Sequence, residues 1–178
     1  MHKNSQKRYY GKGVYFLTCN TQQKFPYFEN KILCNLWMQE LSICKELKKF
    51  DLYAFCLNHD HFHVLLQPDE DIANISEIMR SLKTNSSRNF NRLIKNTAHK
   101  IPYLTQAWTR DHAFMDAHNL PKFQRQASFH DHIIRDKNDY KHHRYYTRDN
   151  YLKHDLPKDW KYQSGNVEYK NLLDHIHV

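Results

Sequence analysis

Asn58-His59-Asp60-His61-Phe62-His63-Val64-Leu65-Leu66-Gln67-Pro68 sets three histidines at every second position and runs them into an apolar segment that closes on a proline. A β-strand repeats its side-chain direction every two residues, so His59, His61 and His63 are expected on one face and Phe62, Val64 and Leu66 on the other. One short strand would then offer a face to a core and a face to chemistry. Imidazole is the commonest metal ligand in proteins, and two of them one strand-step apart can grip one ion. Spacing alone does not decide the matter. The chain has 14 histidines and four His-x-His pairs (His59/His61, His61/His63, His130/His132 and His175/His177), where random placement gives roughly one.

Working outward, 178 residues suit a single domain, 1–178, with a C-terminal tail over 153–178. No apolar run is long enough to span a membrane, and residues 1–8 lack the apolar centre of a signal peptide. Cys19, Cys34, Cys44 and Cys56 sit in apolar segments without CxxC spacing, and read as free buried thiols of a cytoplasmic protein. A net charge of +8 with 14% aromatic residues suits a nucleic-acid partner, since cations neutralise phosphates and rings stack on unpaired bases. A basic protein without a polyanionic partner is the plain alternative.

Residues 14–19 (Val-Tyr-Phe-Leu-Thr-Cys) are dense in β-formers and read as a first strand, entered through Gly11 and Gly13. Over 31–48, Leu33, Leu36/Trp37, Leu41, Cys44 and Leu47 recur at helical spacing. Residues 52–57 form a second strand, and Asn58-His59-Asp60 turns it back into the histidine strand as a hairpin. A long helix is expected over 72–95 with Ile75, Ile78/Met79, Leu82, Phe90 and Leu93 as its apolar face. Arg80, Lys83, Arg88, Arg92 and Lys95 are placed on its other side, as a solvated face or a DNA contact. Residues 97–126 show no clear period. Residues 128–135 read as a fourth strand, Asp136 as a cap, and 138–150 as a further helix. A short helix fits 167–175. Strand, helix, strand, strand, helix, strand is the α+β, ferredoxin-like plan: an antiparallel sheet with two helices on one face. The added helix would cover the open face, where His61 and His63 stand.

That added helix contains Tyr145-Tyr146-Thr147-Arg148-Asp149-Asn150. Residues four apart share a helix face, which pairs Tyr146 with Asn150 and Tyr145 with Asp149. A phenol is a weak nucleophile unless a base or a metal ion assists the attack. A tyrosine and an oxygen ligand on one turn, opposite a His-x-His strand, would meet that need. Asp149 is the stronger ligand for a hard cation, whereas Asn150 adds no negative charge beside an anionic phosphate.

The chain resembles the REP-associated tyrosine transposases, of the single-tyrosine, HUH-fold insertion-sequence class. The resemblance rests on Tyr15-Phe16-Leu17-Thr18, on residues 57–66, on Phe129-His130-Asp131-His132-Ile133-Ile134-Arg135-Asp136 and on residues 146–156. It implies His61, His63 and Asn150 as ligands of a divalent ion, Mg²⁺ or Mn²⁺, and Tyr146 as the nucleophile. The chain departs from the family pattern at His59 and Asp60, where Pro and Asn are common, and at Tyr151, where Pro is usual. The implied activity is an endonuclease and strand transferase for DNA transposition and recombination. It would cut single-stranded DNA near hairpins through a 5′-phosphotyrosine, as a monomer or homodimer, in the cytoplasm and on the nucleoid when bound to DNA. Two alternatives stand beside it: a zinc hydrolase using His59, His61 and His63 without a covalent intermediate, and a DNA-hairpin-binding module that has lost catalysis.

Overall fold

The computed structural model describes residues 13–69, 71–98 and 120–175. Residues 1–8, Gly11, Trp108, Phe114 and most of the stretch 97–126 lie outside them, as do residues 176–178. The elements are β1 (Tyr15–Asn20), α1 (Lys31–Lys48), β2 (Phe50–Leu57), β3 (His61–Pro68), α2 (Ile75–Ala98), β4 (His130–Ile133) and α3 (Lys137–Asp149). The strands form one sheet in the order β2-β3-β1-β4, and every neighbouring pair is antiparallel. This is the ferredoxin-like arrangement expected from the order of elements. No helix among the described residues is long and apolar enough to cross a membrane.

Strand periodicity divides the sheet. Tyr15, Leu17, Cys19, Phe62, Val64 and Leu66 join Leu33, Trp37 and Leu41 of α1 and Ile78, Met79 and Phe90 of α2 in the main core. Trp37 packs its ring 4.9 Å from Phe62 and is 1% exposed. Each such side chain contributes about 1.5–3 kcal/mol by leaving water. The intervening positions face the other way. Phe16 and Leu65 meet Tyr53, Ala54 and Tyr140 in a smaller cluster beneath α3, where the Tyr53 and Tyr140 rings meet edge-on at 5.7 Å.

Each helix starts where a side chain can satisfy its first amides. Asn30 caps α1 by accepting from Ile32 N and Leu33 N, and Asp136 caps α3 by accepting from Asn138 N and Asp139 N. Helix α2 begins at Ile75 rather than at 72. Asn74 Oδ1 accepts from Glu77 N and Glu77 Oε2 accepts from Asn74 N, a reciprocal capping box that fixes the start. On α1, spacing puts Leu47 on the apolar face, but it is 64% exposed.

Strand β4 is four residues long, where eight (128–135) were expected. The Ala127 and Ser128 carbonyls accept from the Lys83 ammonium instead of joining a ladder. The tail runs along the outer edge of β2: Leu57 N donates to Tyr162 O, Ser164 N to Phe55 O and Asp174 N to Leu52 O. Covering that edge removes a row of open backbone groups. The expected helix over 167–175 is a short 3-10 turn, Val167–Leu172. All four cysteines are free and buried, as their apolar surroundings suggested.

Candidate active site

Strand register builds the site. In the β1–β3 ladder Thr18 lies opposite His63, and Asn20 opposite His61. The two imidazoles stand 4.9 Å apart on the face turned toward α3. A 2.7 Å hydrogen bond joins His63 Nδ1 to Thr18 Oγ1, and a 2.5 Å contact joins His61 Nδ1 to Asp60 Oδ1. With both Nδ1–H groups donating to these oxygens, the two Nε2 lone pairs are left facing the site. Burial pushes the His63 imidazole down to about 3, aided by the neighbouring His61 and His154, so the ring stays neutral, as a metal ligand must be.

Helix α3 supplies the rest. It ends at Asp149 and tightens into a 3-10 turn, Asn150–His154. Asn150, at the junction, is fully buried. The Asn58 Nδ2 amide lies between the two sides, donating to Asn150 Oδ1 at 2.8 Å and to His61 Nε2 at 3.0 Å. Two of the three sequence-derived ligand atoms therefore converge on one electropositive group. His63 Nε2 and Asn150 Nδ2 are buried with no hydrogen-bond partner among the described residues. A divalent cation held by His61, His63 and Asn150 suits this donor set, with the Asn58 amide standing in for positive charge.

The half-buried Tyr146 ring meets His63 edge-on at 5.6 Å and Phe16 at 5.8 Å, and the Lys153 ammonium sits over it at 4.2 Å. Tyr145 points elsewhere: it is 52% exposed and stacks under Arg148. Asp149 is occupied by a bidentate pairing with Arg148 at 2.7 Å for each bond, which holds its carboxyl below the usual range. The structure thus gathers His61, His63, Tyr146 and Asn150, and leaves out Tyr145 and Asp149. His59 is also out. Strand β3 starts only at His61, and His59 lies in the preceding turn against Glu29 and Trp160. The three-histidine zinc cluster of the hydrolase alternative is not formed.

Of the α2 cations, Arg80, Arg88, Arg92 and Lys95 are exposed, but Lys83 is buried. At about 80° from Ile75 around the helix it belongs to the border of the apolar stripe, not to the opposite side. Burial pushes its ammonium down, and it binds the carbonyls that lead into β4. Helix α2 also packs on the face of the sheet away from the histidines.

Three features escaped the sequence reading. Asn58 was read only as a turn residue. His154, one turn beyond Asn150, brings its ring to 4.7 Å from His61. Lys137, Lys141, Arg144 and Arg148 recur at i, i+4, i+7 and i+11, which puts them within about 60° of one another on α3. All four are exposed, and Tyr146 projects from the other side of the same helix. That spacing was available in the sequence.

Residues 11–122 match the family described as "Transposase IS200 like". The match includes His61 and His63 and stops before Tyr146 and Asn150. A solved REP-associated tyrosine transposase, bound to a REP hairpin, has the same fold, with a TM-score of 0.63 and 20% identity over 98% of this chain and 89% of that one. A candidate transposase from Deinococcus radiodurans aligns with 88% of this chain and 98% of its own at 17% identity, with a TM-score of 0.47. No curated protein matches the chain.

Proposed function

The chain belongs to the IS200-like transposases, and from that premise we propose that it cuts and rejoins single-stranded DNA with Tyr146 as nucleophile. The observation that carries this reading is the Tyr146 ring at 5.6 Å from His63, beside a histidine pair whose Nε2 atoms face the site, that of His63 without a partner among the described residues and that of His61 met only by the Asn58 amide. The Tyr146 hydroxyl would attack a backbone phosphorus in line. A phosphotyrosine bond to the 5′ side forms as the bond to the 3′ oxygen breaks, and that oxygen leaves as a hydroxyl with the net gain of the phenol's proton. A 3′-hydroxyl of a second strand reverses the step, so joining needs no nucleotide cofactor. His61, His63 and Asn150 would hold Mg²⁺ or Mn²⁺, which supplies Lewis-acid polarisation of the phosphoryl group. Asp60 and Thr18 fix the two imidazoles through their Nδ1 atoms, and Asn150 brings an amide that adds no negative charge.

Nucleic acid would enter beside Lys153, which lies over the nucleophile's ring, and its flanking phosphates would be taken by Lys137, Lys141, Arg144 and Arg148, the basic stripe on the opposite side of α3. Arg80, Arg88, Arg92 and Lys95 offer a second basic face across the sheet, placed to take the more distant phosphates of a folded strand. The solved relative is bound to a REP hairpin, which supports hairpin DNA as the substrate form here. Incubation with labelled single-stranded hairpin DNA and Mn²⁺ should give an adduct that survives denaturant. His61→Ala or excess chelator should abolish it while leaving most of the DNA affinity, because phosphate contacts bind independently of the site. Undiminished cleavage in chelator refutes the reading.

A further inference from the structure

A second group of ligand-type side chains lies outside the site described above. His132 projects from β4, while Asp139 and His143 sit one turn apart on α3, and one ligand atom from each lies within 4.8 Å of the others. Asp139 is flanked on both oxygens. His132 Nε2 is 2.9 Å from Oδ2, and His143 Nδ1 is 2.8 Å from Oδ1 and 3.0 Å from the Asp139 carbonyl. The two imidazole rings are stacked almost parallel, 4.5 Å apart with 17° between their planes. The Arg135 amide donates to the same carboxylate at 3.0 Å. Desolvation works to raise the Asp139 carboxyl, but the hydrogen bonds from His132 and the Arg135 amide, with the two imidazoles, outweigh it and keep the group anionic.

We propose that His132, Asp139 and His143 form a second cation site, for a transition ion of the Zn²⁺ or Co²⁺ kind, that pins helix α3 to strand β4. Two imidazoles and one carboxylate are a donor set for borderline metals, unlike the all-oxygen shells that hold Mg²⁺. Ligand bonds of about 2.0–2.2 Å place donor atoms roughly 3.0–3.5 Å apart, so the 2.9 and 2.8 Å contacts to Asp139 would open by a few tenths of an ångström while ligand atoms now as much as 4.8 Å apart draw together. His132 retains 37% side-chain exposure, which gives an ion a route in and leaves room for water to complete its shell. Neither histidine takes part in the first site. Phe16 stands between the two: its ring lies 4.9 Å from His143, 5.2 Å from His63 and 5.8 Å from Tyr146. An ion here would therefore steady the helix that carries Tyr146 without touching the substrate.

The site can be counted directly. Full-length protein is titrated with Co²⁺ and followed by visible absorption and calorimetry, alongside His61→Ala/His63→Ala, His143→Gln and His132→Gln. The wild type should bind two ions per chain, and each of the other three proteins should bind one. Zn²⁺ should raise the unfolding temperature of His61→Ala/His63→Ala but not of the same protein carrying His143→Gln. Because the double variant lacks the first site, failure of the transposase reading leaves this result untouched. The proposal is overturned if His61→Ala/His63→Ala binds no ion, or if both glutamine variants bind as many ions as the wild type, which would leave the cluster a hydrogen-bond network only. Should His143→Gln fail to fold, His132→Gln on the exposed edge strand carries the comparison.

Discussion

The two faces of β3 were built by one rule and ended in opposite states. Phe62, Val64 and Leu66 enter a core under α1 and α2 that is built mainly of apolar side chains, where shape decides the fit. One residue out of phase, His61 and His63 enter a polar pocket under α3, where hydrogen bonds decide orientation and two buried polar atoms, His63 Nε2 and Asn150 Nδ2, are left without a partner among the described residues. The core face holds such an atom as well, Trp37 Nε1, on a ring that is otherwise packed against Phe62. On the α3 face the two atoms belong to two of the three proposed ligand residues, which is where this fold would give up stability for chemistry.

Breaking each face in turn should separate stability from activity. The largest effect belongs to the core face: Trp37→Ala removes a fully packed ring against Phe62 and should cost about 3–5 kcal/mol in urea unfolding. An effect below 1 kcal/mol would show that the core is not organised around this contact. Next comes Asn58→Ala, which strips the amide from His61 Nε2 and Asn150 Oδ1. In chelator it should destabilise by about 1–3 kcal/mol, the usual penalty for unsatisfied buried groups. Added Mn²⁺ should shrink that loss, because the ion takes over the amide's position; a loss equal in both conditions contradicts the stand-in role.

A gentler test is pH. The His63 pKa is about 3 in the folded chain and near the ordinary 6.5 when unfolded, so the unfolded state binds the extra proton between those values. Stability contributed through His63 is therefore complete above pH 6.5 and declines as pH falls toward 3. In NMR titrations the His63 ring should not change protonation between pH 5 and 8. A midpoint near 6.5 would mean that the ring is wetter than its packing implies. The smallest effect is on the surface: Arg144→Ala should leave stability within about 0.5 kcal/mol. It should lower the salt dependence of DNA binding by about one phosphate contact. Lys83→Ala, despite removing the same charge, should act on stability instead, since its ammonium binds the Ala127 and Ser128 carbonyls.

What was legible in the sequence follows the same division. Periodicity is a strong signal where a face is dry, so α1 and the β2–β3 hairpin were readable almost to the residue, as was the division of β3 into two faces. It is weak at borders: Lys83 sits at the edge of the α2 stripe, and β4 is an edge strand whose flanking carbonyls are claimed by that same lysine. The Asn74/Glu77 capping box was available and would have corrected the start of α2. His61, His63 and Tyr146 were reachable by spacing and resemblance because each sits on a regular element, and Asn150 because it lies one helical turn from Tyr146 at the end of α3. Asn58 and His154 lie in a turn and a 3-10 segment. Only the folded arrangement brings Asn58 between His61 and Asn150, 92 residues away in the chain, and no local pattern encodes that contact.

The central claim is that Tyr146, and not its neighbour, carries the DNA. Protein trapped with labelled hairpin DNA and Mn²⁺ should be digested and the DNA-linked peptide sequenced, in parallel with Tyr146→Phe and Tyr145→Phe. DNA should be found on Tyr146, with no adduct from Tyr146→Phe and an adduct close to the wild-type level from Tyr145→Phe. DNA found on Tyr145 or Tyr140, or an adduct that persists in Tyr146→Phe, would contradict it.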